Sequence, residues 1–202
     1  MGRAPAADPA NKAPATPAAA APPAVAPAVA PAVALKLSKA LHSDSSALRL
    51  SDGDCAVSTP VAGHNCIFGA AVFEHGVHSW VVTLRDQGED PGYCGLGVAD
   101  AGCGGPAWYL KPQYGKVQVA SSVSMWGSAC DEGWTAVRSR DQAEGARYRV
   151  TVDMGTKHLW FAEALSGQDF APKRRAESVT LPARVRVYLM TPRRCQLVPS
   201  DY

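Results

Sequence analysis

Two histidines lie three positions apart in the segment FEHGVHSWVVTL at residues 73–84, where each could bind a metal ion or act as a base. With the cysteines at 94 and 103, His75 and His78 would supply the four nitrogen and sulfur ligands that structural zinc prefers. His75 precedes a turn glycine, however, whereas His78 enters a strand, and no cysteine pair has Cys-x-x-Cys spacing. We therefore expect no metal site, with His75 exposed and His78 near Trp80 at the start of the strand.

A nucleophilic site needs a thiol or hydroxyl beside a base, and Cys66, His78 and Asp153 form the most suggestive set. Their local sequences lack both the Gly-x-Ser-x-Gly elbow of hydrolases and the signatures of cysteine proteases. Paired carboxylates at 89–90 and 131–132 fall in polar loops, where both groups are expected to be solvated and ionised. The sequence therefore predicts a protein that is not an enzyme and has no cofactor.

The first 34 residues differ from the rest of the chain because they consist almost entirely of alanine, proline and valine. Proline every few residues removes backbone donors and blocks helix propagation, so we expect an extended or disordered arm at 1–34. The same prolines interrupt the apolar run that a secretory signal or a transmembrane helix needs. We therefore expect a cytoplasmic protein whose single folded domain comprises residues 35–202.

The formal net charge of +2 at pH 7 gives no general attraction to nucleic acid or to membranes. Basic residues gather in the segment PKRRAE at 172–177, which would suit a phosphate contact or an import signal but is more simply a solvated loop. The six cysteines are expected to remain reduced thiols, several of them as small buried apolar groups. We expect neither nucleic acid nor a membrane among the partners.

The body of the chain alternates apolar and polar residues with a period of two, which predicts antiparallel strands with one solvated face. The clearest strands are SWVVTL at 79–84, KVQVA at 116–120, RYRVTV at 147–152 and RVRVYL at 184–189. Shorter candidates are ALRL at 47–50, CGLGV at 94–98 and HLWFA at 158–162. Turn residues separate these runs, and no long apolar helical stripe occurs. The pattern predicts an all-β protein, as a sandwich or a barrel, and a two-sheet antiparallel β-sandwich suits a domain of this size.

Four phrases of this body occur in a fixed order: FGAAVFEHGVHSWVVTL at 68–84, YCGLGVAD at 93–100, YRVTVDMGTKHLWFAE at 148–163 and VTLPARVRVYL at 179–189. Their order and spacing resemble the B30.2/SPRY domain family. The resemblance implies a concanavalin-like jelly-roll sandwich. It also implies a non-catalytic module that recognises a protein or peptide, as family members do when they deliver substrates to ubiquitin ligases or scaffold signalling.

Several residues of these phrases have a simple physical role. Gly76 is expected to take a positive φ where the chain turns into a strand, and Trp80 is expected to fill the middle of the sandwich. Gly95 and Gly97 are expected where the two sheets approach closely, because they lack side chains. Asp153 should accept hydrogen bonds from the amides of the turn that follows it.

In SPRY-like domains the loops at one end of the sandwich form the partner's pocket, and the resemblance implies the same role here. The best-suited loops are those at 86–92, 101–114 and 121–135, because aromatic side chains on glycine-rich loops bury much area at little entropic cost. The candidate contact residues are Trp108, Tyr109, Tyr114, Met125, Trp126 and Trp134, with Arg85 and Asp86 as charged rim contacts.

Other interpretations of the same residues stay open. Trp126 and Trp134 would pack in the core if they belong to strands. A lectin would also use a sandwich with surface aromatics beside acidic groups, which Asp131 and Glu132 near Trp134 would provide. A small hydrolase is the third alternative, and it would lose turnover when Cys66 is changed.

Overall fold

The computed structural model describes residues 36–38, 49–51, 53, 56–58, 65–85, 94–112, 116–121, 128–131, 145–191 and 195–198. Within these ranges the regular structure is almost entirely β-strand, so the predicted all-β class is confirmed. No helix in the described part of the chain is long and apolar enough to cross a membrane. The predicted arm at 1–34 lies outside the described residues.

The strands pair into two antiparallel sheets. Their bounds are β1 (Leu37–Ser38), β2 (Arg49–Ser51), β3 (Ala56–Ser58), β4 (Asn65–Gly69), β5 (Val77–Leu84), β6 (Gly95–Asp100), β7 (Ala107–Lys111), β8 (Lys116–Ala120), β9 (Ser128–Asp131), β10 (Arg147–Asp153), β11 (His158–Ala164), β12 (Arg174–Arg175), β13 (Val185–Thr191) and β14 (Cys195–Val198). Sheet A has the order β1-β4-β13-β6-β7-β8-β9, and sheet B has the order β12-β11-β10-β5-β14-β3-β2. The predicted two-sheet sandwich is therefore confirmed.

The main core lies between the sheets and is centred on Trp80, which is fully buried. In sheet B, β10 pairs with β5 on one side and with β11 on the other, so that Val150 lies between Trp80 and Phe161. Because strand side chains alternate, the odd-numbered residues of β10 face away from this core. Sheet A contributes inward residues such as Leu96 and Val187.

Each of the seven strand predictions overlaps an observed strand, whereas seven of the fourteen described strands were missed, and β4 and β7 are the longest of these. Both β4 and β7 are buried on both faces: Cys66, Ile67 and Phe68 are consecutive buried residues, as are Tyr109 and Leu110. A strand with two covered faces loses the alternation that the sequence prediction used. Burial on both sides of sheet A therefore hid these strands from a periodicity search.

The expected position of Gly95 and Gly97 between the sheets is wrong. Their neighbour Leu96 faces the main core, so both glycines face the outside of sheet A. There a Cβ on Gly95 would lie 2.8 Å from Cδ2 of Tyr109, and a Cβ on Gly97 would lie 2.1 Å from the carbonyl oxygen of Trp108. The glycines thus make room for strand β7 and its tyrosine, not for the opposite sheet.

The outer face of sheet A carries a second apolar cluster. The Tyr109 and Tyr188 rings lie 5.4 Å apart between their centroids, and the Phe68 and Tyr188 rings lie 5.7 Å apart. All three side chains are buried. This face of sheet A is therefore a second packed layer.

Two neighbouring turns at one end of the β5–β10–β11 unit match the prediction. Gly76 has φ of 78°, a conformation that glycine adopts at little cost, and its carbonyl accepts a hydrogen bond from the Met154 amide. Asp153 Oδ1 accepts hydrogen bonds from the amides of Gly155 and Thr156, at 2.8 and 3.1 Å. These bonds lower the pKa of Asp153 although partial burial raises it. The carboxylate closes the tight turn that joins β10 to β11.

We expect Gly97→Ala to destabilise the domain by about 3 kcal/mol, because the new methyl group would overlap the backbone of β7. Thermal and urea unfolding of the full chain would measure the loss. Gly104→Ala is the matched control: its Cβ would have no neighbour within 4 Å, so its effect should stay within about 0.5 kcal/mol. Equal stability of the two variants would contradict the close approach at Gly97.

Candidate functional site

The structure places Trp108 and Tyr109 in strand β7, so their predicted position in a loop is wrong. Tyr109 is fully buried in the outer cluster of sheet A and cannot touch a partner directly. Trp108 points to the opposite side and packs against the main core while keeping part of its surface exposed. Of this pair, only Trp108 retains surface for an interface.

Strand β6 separates the first two predicted loops. Cys94 lies directly before β6. The turn at 101–106 follows the other end of β6, since Asp100 is the last residue of that strand. Cys94 and this turn therefore lie at opposite ends of β6. The remaining predicted contacts lie outside the described residues: Asp86, Tyr114, Met125, Trp126 and Trp134.

The two histidines of the opening segment do not converge on a metal. His78 Nε2 donates a hydrogen bond to the carbonyl oxygen of His75 at 2.7 Å, so this nitrogen carries a proton. The His78 ring also stacks on Phe73, with ring centroids 4.2 Å apart. In the part of the chain that the structure describes, no group of three or more His, Cys, Asp or Glu could hold a metal ion. His78 instead fixes the turn that leads into β5.

The suggested triad of Cys66, His78 and Asp153 is not assembled. Cys66 lies on the outer face of sheet A, where its sulfur is 3.1 Å from the hydroxyl of Tyr188. Burial raises the pKa of this thiol, which makes it a poor nucleophile. Asp153 is engaged in its own turn in the other sheet. These three side chains therefore have separate structural contacts.

The outer face of sheet B carries a group of side chains that we call the basic-aromatic patch: Arg147, Arg149, Trp160, Phe170 and Lys173. Strands β10 and β11 present the first three, and the segment after β11 folds back to supply the last two. The guanidinium carbons of Arg147 and Arg149 lie 5.1 and 4.2 Å from the Phe170 centroid. Lys173 Nζ lies 5.3 Å from the Trp160 centroid. These distances are within the range of cation–π attraction, which holds the aromatic rings in place.

Both rings of the patch keep part of their surface exposed, and Lys173 is exposed. Arg147 also donates a hydrogen bond to the carbonyl of Gln168, which ties the returning segment to β10. The Ala171 amide donates to the Glu163 carbonyl at 2.8 Å and anchors the same segment to β11. The patch is therefore a fixed surface.

Sequence reasoning missed this surface although it contained a usable signal. In the segment HLWFA at 158–162, side chains alternate between the two faces of the sheet. Leu159 and Phe161 face the core, so Trp160 faces the solvent side. A tryptophan at a position that the pattern reserves for polar residues marks a candidate contact. The basic run at 172–177 was treated as a solvated loop, whereas Arg174–Arg175 form an edge strand beside β11.

A narrow cleft opens between the sheets beside the patch. The residues that line the cleft are Leu110, Tyr148, Phe161, Ala162, Glu163, Ala171, Pro172 and Arg174. Within it, the Tyr148 hydroxyl donates a 2.8 Å hydrogen bond to Oε1 of Glu163. Burial raises the pKa of Glu163, while the bond from Tyr148 lowers it. The cleft thus holds a partly desolvated carboxyl group at the edge of the core.

This raised pKa predicts a pH dependence of stability. Protonation of Glu163 favours the folded state, so its contribution is greatest below its ordinary pKa of 4.5 and is lost as the pH rises through the folded value. We expect Glu163→Gln to remove the decrease in unfolding free energy that occurs as the pH rises through the folded-state pKa of Glu163, because glutamine does not titrate. Glutamine also keeps an acceptor for the Tyr148 hydroxyl. Urea unfolding at a series of pH values from below 4.5 upward would measure this pH dependence. Asp169→Asn, at an exposed carboxylate, should leave the profile unchanged; an identical effect of both substitutions would contradict the assignment.

Two solved structures resemble this sandwich. The SPRY domain of human HERC1 matches with a TM-score of 0.56 and 9% sequence identity, covering 82% of this chain and 99% of the HERC1 chain. The PSpry domain of TRIM65 matches with a TM-score of 0.50 and 18% identity, covering 76% of this chain and 86% of the TRIM65 chain. No protein-family model and no curated protein sequence matches. The two-sheet sandwich of this chain therefore has the fold of SPRY/B30.2 domains, as the order of its sequence phrases predicted.

Proposed function

We propose that this protein is a non-catalytic interaction module that recognises a protein or peptide segment. The observation that carries the proposal is the basic-aromatic patch, in which Trp160 and Phe170 stay partly exposed on the outer face of sheet B. Tryptophan and arginine are the residues most often responsible for binding energy at protein interfaces. The SPRY-type fold is consistent with this function, since it supplies a scaffold on which surfaces vary.

The patch suits recognition because its rings are already ordered before a partner arrives. A side chain that is held in place loses little further rotamer freedom on binding, so more of the contact energy is retained. Arg149 packs at 4.2 Å from the Phe170 centroid and Lys173 lies over Trp160. A partner would therefore meet a surface whose aromatic groups need little rearrangement.

The loop contacts predicted from the sequence remain part of the proposal as a second region. Arg85 is exposed and Trp108 is partly exposed, so both are accessible to a partner. They do not belong to the patch, since Trp108 lies in sheet A and Arg85 follows the end of β5. Substitution of Trp108 therefore distinguishes binding at this second region from binding at the basic-aromatic patch.

Peptide selection from a displayed random library, with the full chain as bait, would test the function. We expect enriched peptides whose affinity falls at least about tenfold with Trp160→Ala or Phe170→Ala, because each removes a central aromatic contact. The melting temperature of each variant would show that the fold persists.

Trp108→Ala is the matched aromatic substitution on the other sheet and should leave this affinity unchanged. Loss of binding with Trp108→Ala alone would move the site to the exposed surface around Trp108 in sheet A. Failure to enrich any peptide, together with chelator-sensitive binding on a glycan array, would favour the lectin alternative instead.

A further inference from the structure

We propose that the basic-aromatic patch binds an extended acidic peptide segment with carboxylates at alternate positions. This inference rests on the proposed function and specifies the chemistry of the partner. It starts from an imbalance of charge on the outer face of sheet B. Arg147, Arg149 and Lys173 stand on this face, and among the described residues none of them has a carboxylate within ion-pair distance.

Three of the carboxylates near the patch already have partners. Glu177 forms an ion pair with Arg175 at the edge of the sheet, and the hydrogen bonds from Arg175 lower the pKa of Glu177. Asp153 accepts the turn amides of the β10–β11 connection. Glu163 faces the cleft on the other side of β11, where it bonds to Tyr148. Asp169, in the returning segment, is exposed to solvent. The three cations of the patch therefore remain available to an external anion.

The chemistry of the arginines favours carboxylates as ligands. The guanidinium carbon of Arg149 lies 4.2 Å from the Phe170 centroid, and the N–H donors of a guanidinium lie in its own plane. Those in-plane donors match the two oxygens of a carboxylate. Arg149 Nε is buried and has no hydrogen-bond partner among the residues that the structure describes, so part of this charge is already desolvated. An anion beside this guanidinium would offset that cost.

The spacing of the cations favours an extended peptide. Arg147 and Arg149 are two residues apart on one face of β10, which places their Cα atoms roughly 7 Å apart. An extended ligand also repeats its side chains every second residue, so acidic groups at alternate positions would match the two arginines. Lys173, above Trp160 on the neighbouring strand, would contact a further carboxylate or the peptide terminus.

Single-stranded nucleic acid is the competing anionic polymer, and the geometry favours it less. Nucleic-acid platforms stack bases on open aromatic faces. Here Lys173 lies over the Trp160 ring, and Arg147 and Arg149 lie over the Phe170 ring, so a base would have less open aromatic surface for stacking. A carboxylate can bind while the cation stays on its ring.

Fluorescence anisotropy with the full chain and three labelled probes would test the inference. The probes are a peptide of alternating threonine and glutamate, its threonine–glutamine counterpart and single-stranded poly-U RNA. We expect the glutamate peptide alone to bind, with an affinity that falls as salt rises from about 50 to about 300 mM. Arg149→Glu and Lys173→Glu should each weaken binding at least about tenfold.

Lys36→Glu provides the matched control because it makes the same change of charge at an exposed position directly before β1 of the other sheet, and it should change affinity less than about twofold. Lys173 is exposed, so Lys173→Glu remains informative if Arg149→Glu unfolds the protein. Equal binding of the glutamine peptide, tighter binding of RNA, or an equal loss with Lys36→Glu would overturn the inference.

The proposed function can fail separately from this inference. If library-selected peptides depend on Trp160 and Phe170 but are neutral and insensitive to Lys173→Glu, the interaction module stands and its acidic preference is wrong. If selected peptides ignore both aromatic substitutions, the patch is not the binding surface and both proposals fall.

Discussion

The alternation of side chains along β10 is the constraint on which the rest of this structure depends. Its inward residues, Tyr148, Val150 and Val152, are fully buried in the core between the sheets. Its outward residues include Arg147 and Arg149 of the basic-aromatic patch. A slip of one residue in register would bury both arginines and expose the core side chains. The same hydrophobic free energy that closes the sandwich therefore also orients the cations.

The two sheets use their outer faces differently. Sheet A covers its outer face with a second apolar layer that includes Tyr109 and Tyr188, and the absence of side chains at Gly95 and Gly97 allows this layer to pack closely. Sheet B leaves partly exposed aromatic rings under cations. The apolar layer on sheet A is buried and therefore contributes to stability. The basic-aromatic patch on sheet B instead keeps exposed surface that a partner can cover.

The sequence predicted the all-β class and the central strands because a strand with one buried and one solvated face alternates apolar and polar residues. It also predicted Gly76 and Asp153 correctly, since a positive φ and an acidic turn cap are local requirements. The patch could not be predicted in the same way. It joins Arg149 to Phe170 across a chain reversal, and no local pattern states which aromatic ring will lie beneath a given arginine. The exposure of Trp108 and the burial of Tyr109 likewise depend on what covers each face of sheet A.

The turn that Asp153 closes has a consequence for the order of folding. Strands β10 and β11 are joined directly by this turn, so their pairing requires the closure of only a short loop. By contrast, the hydrogen bond between Ser79 and Thr151 joins residues 72 positions apart and needs a long loop to close. Hairpins form in microseconds, whereas distant strand pairs are slower. We expect Arg149 and Trp160 to reach their native arrangement in an early hairpin, before the two sheets meet.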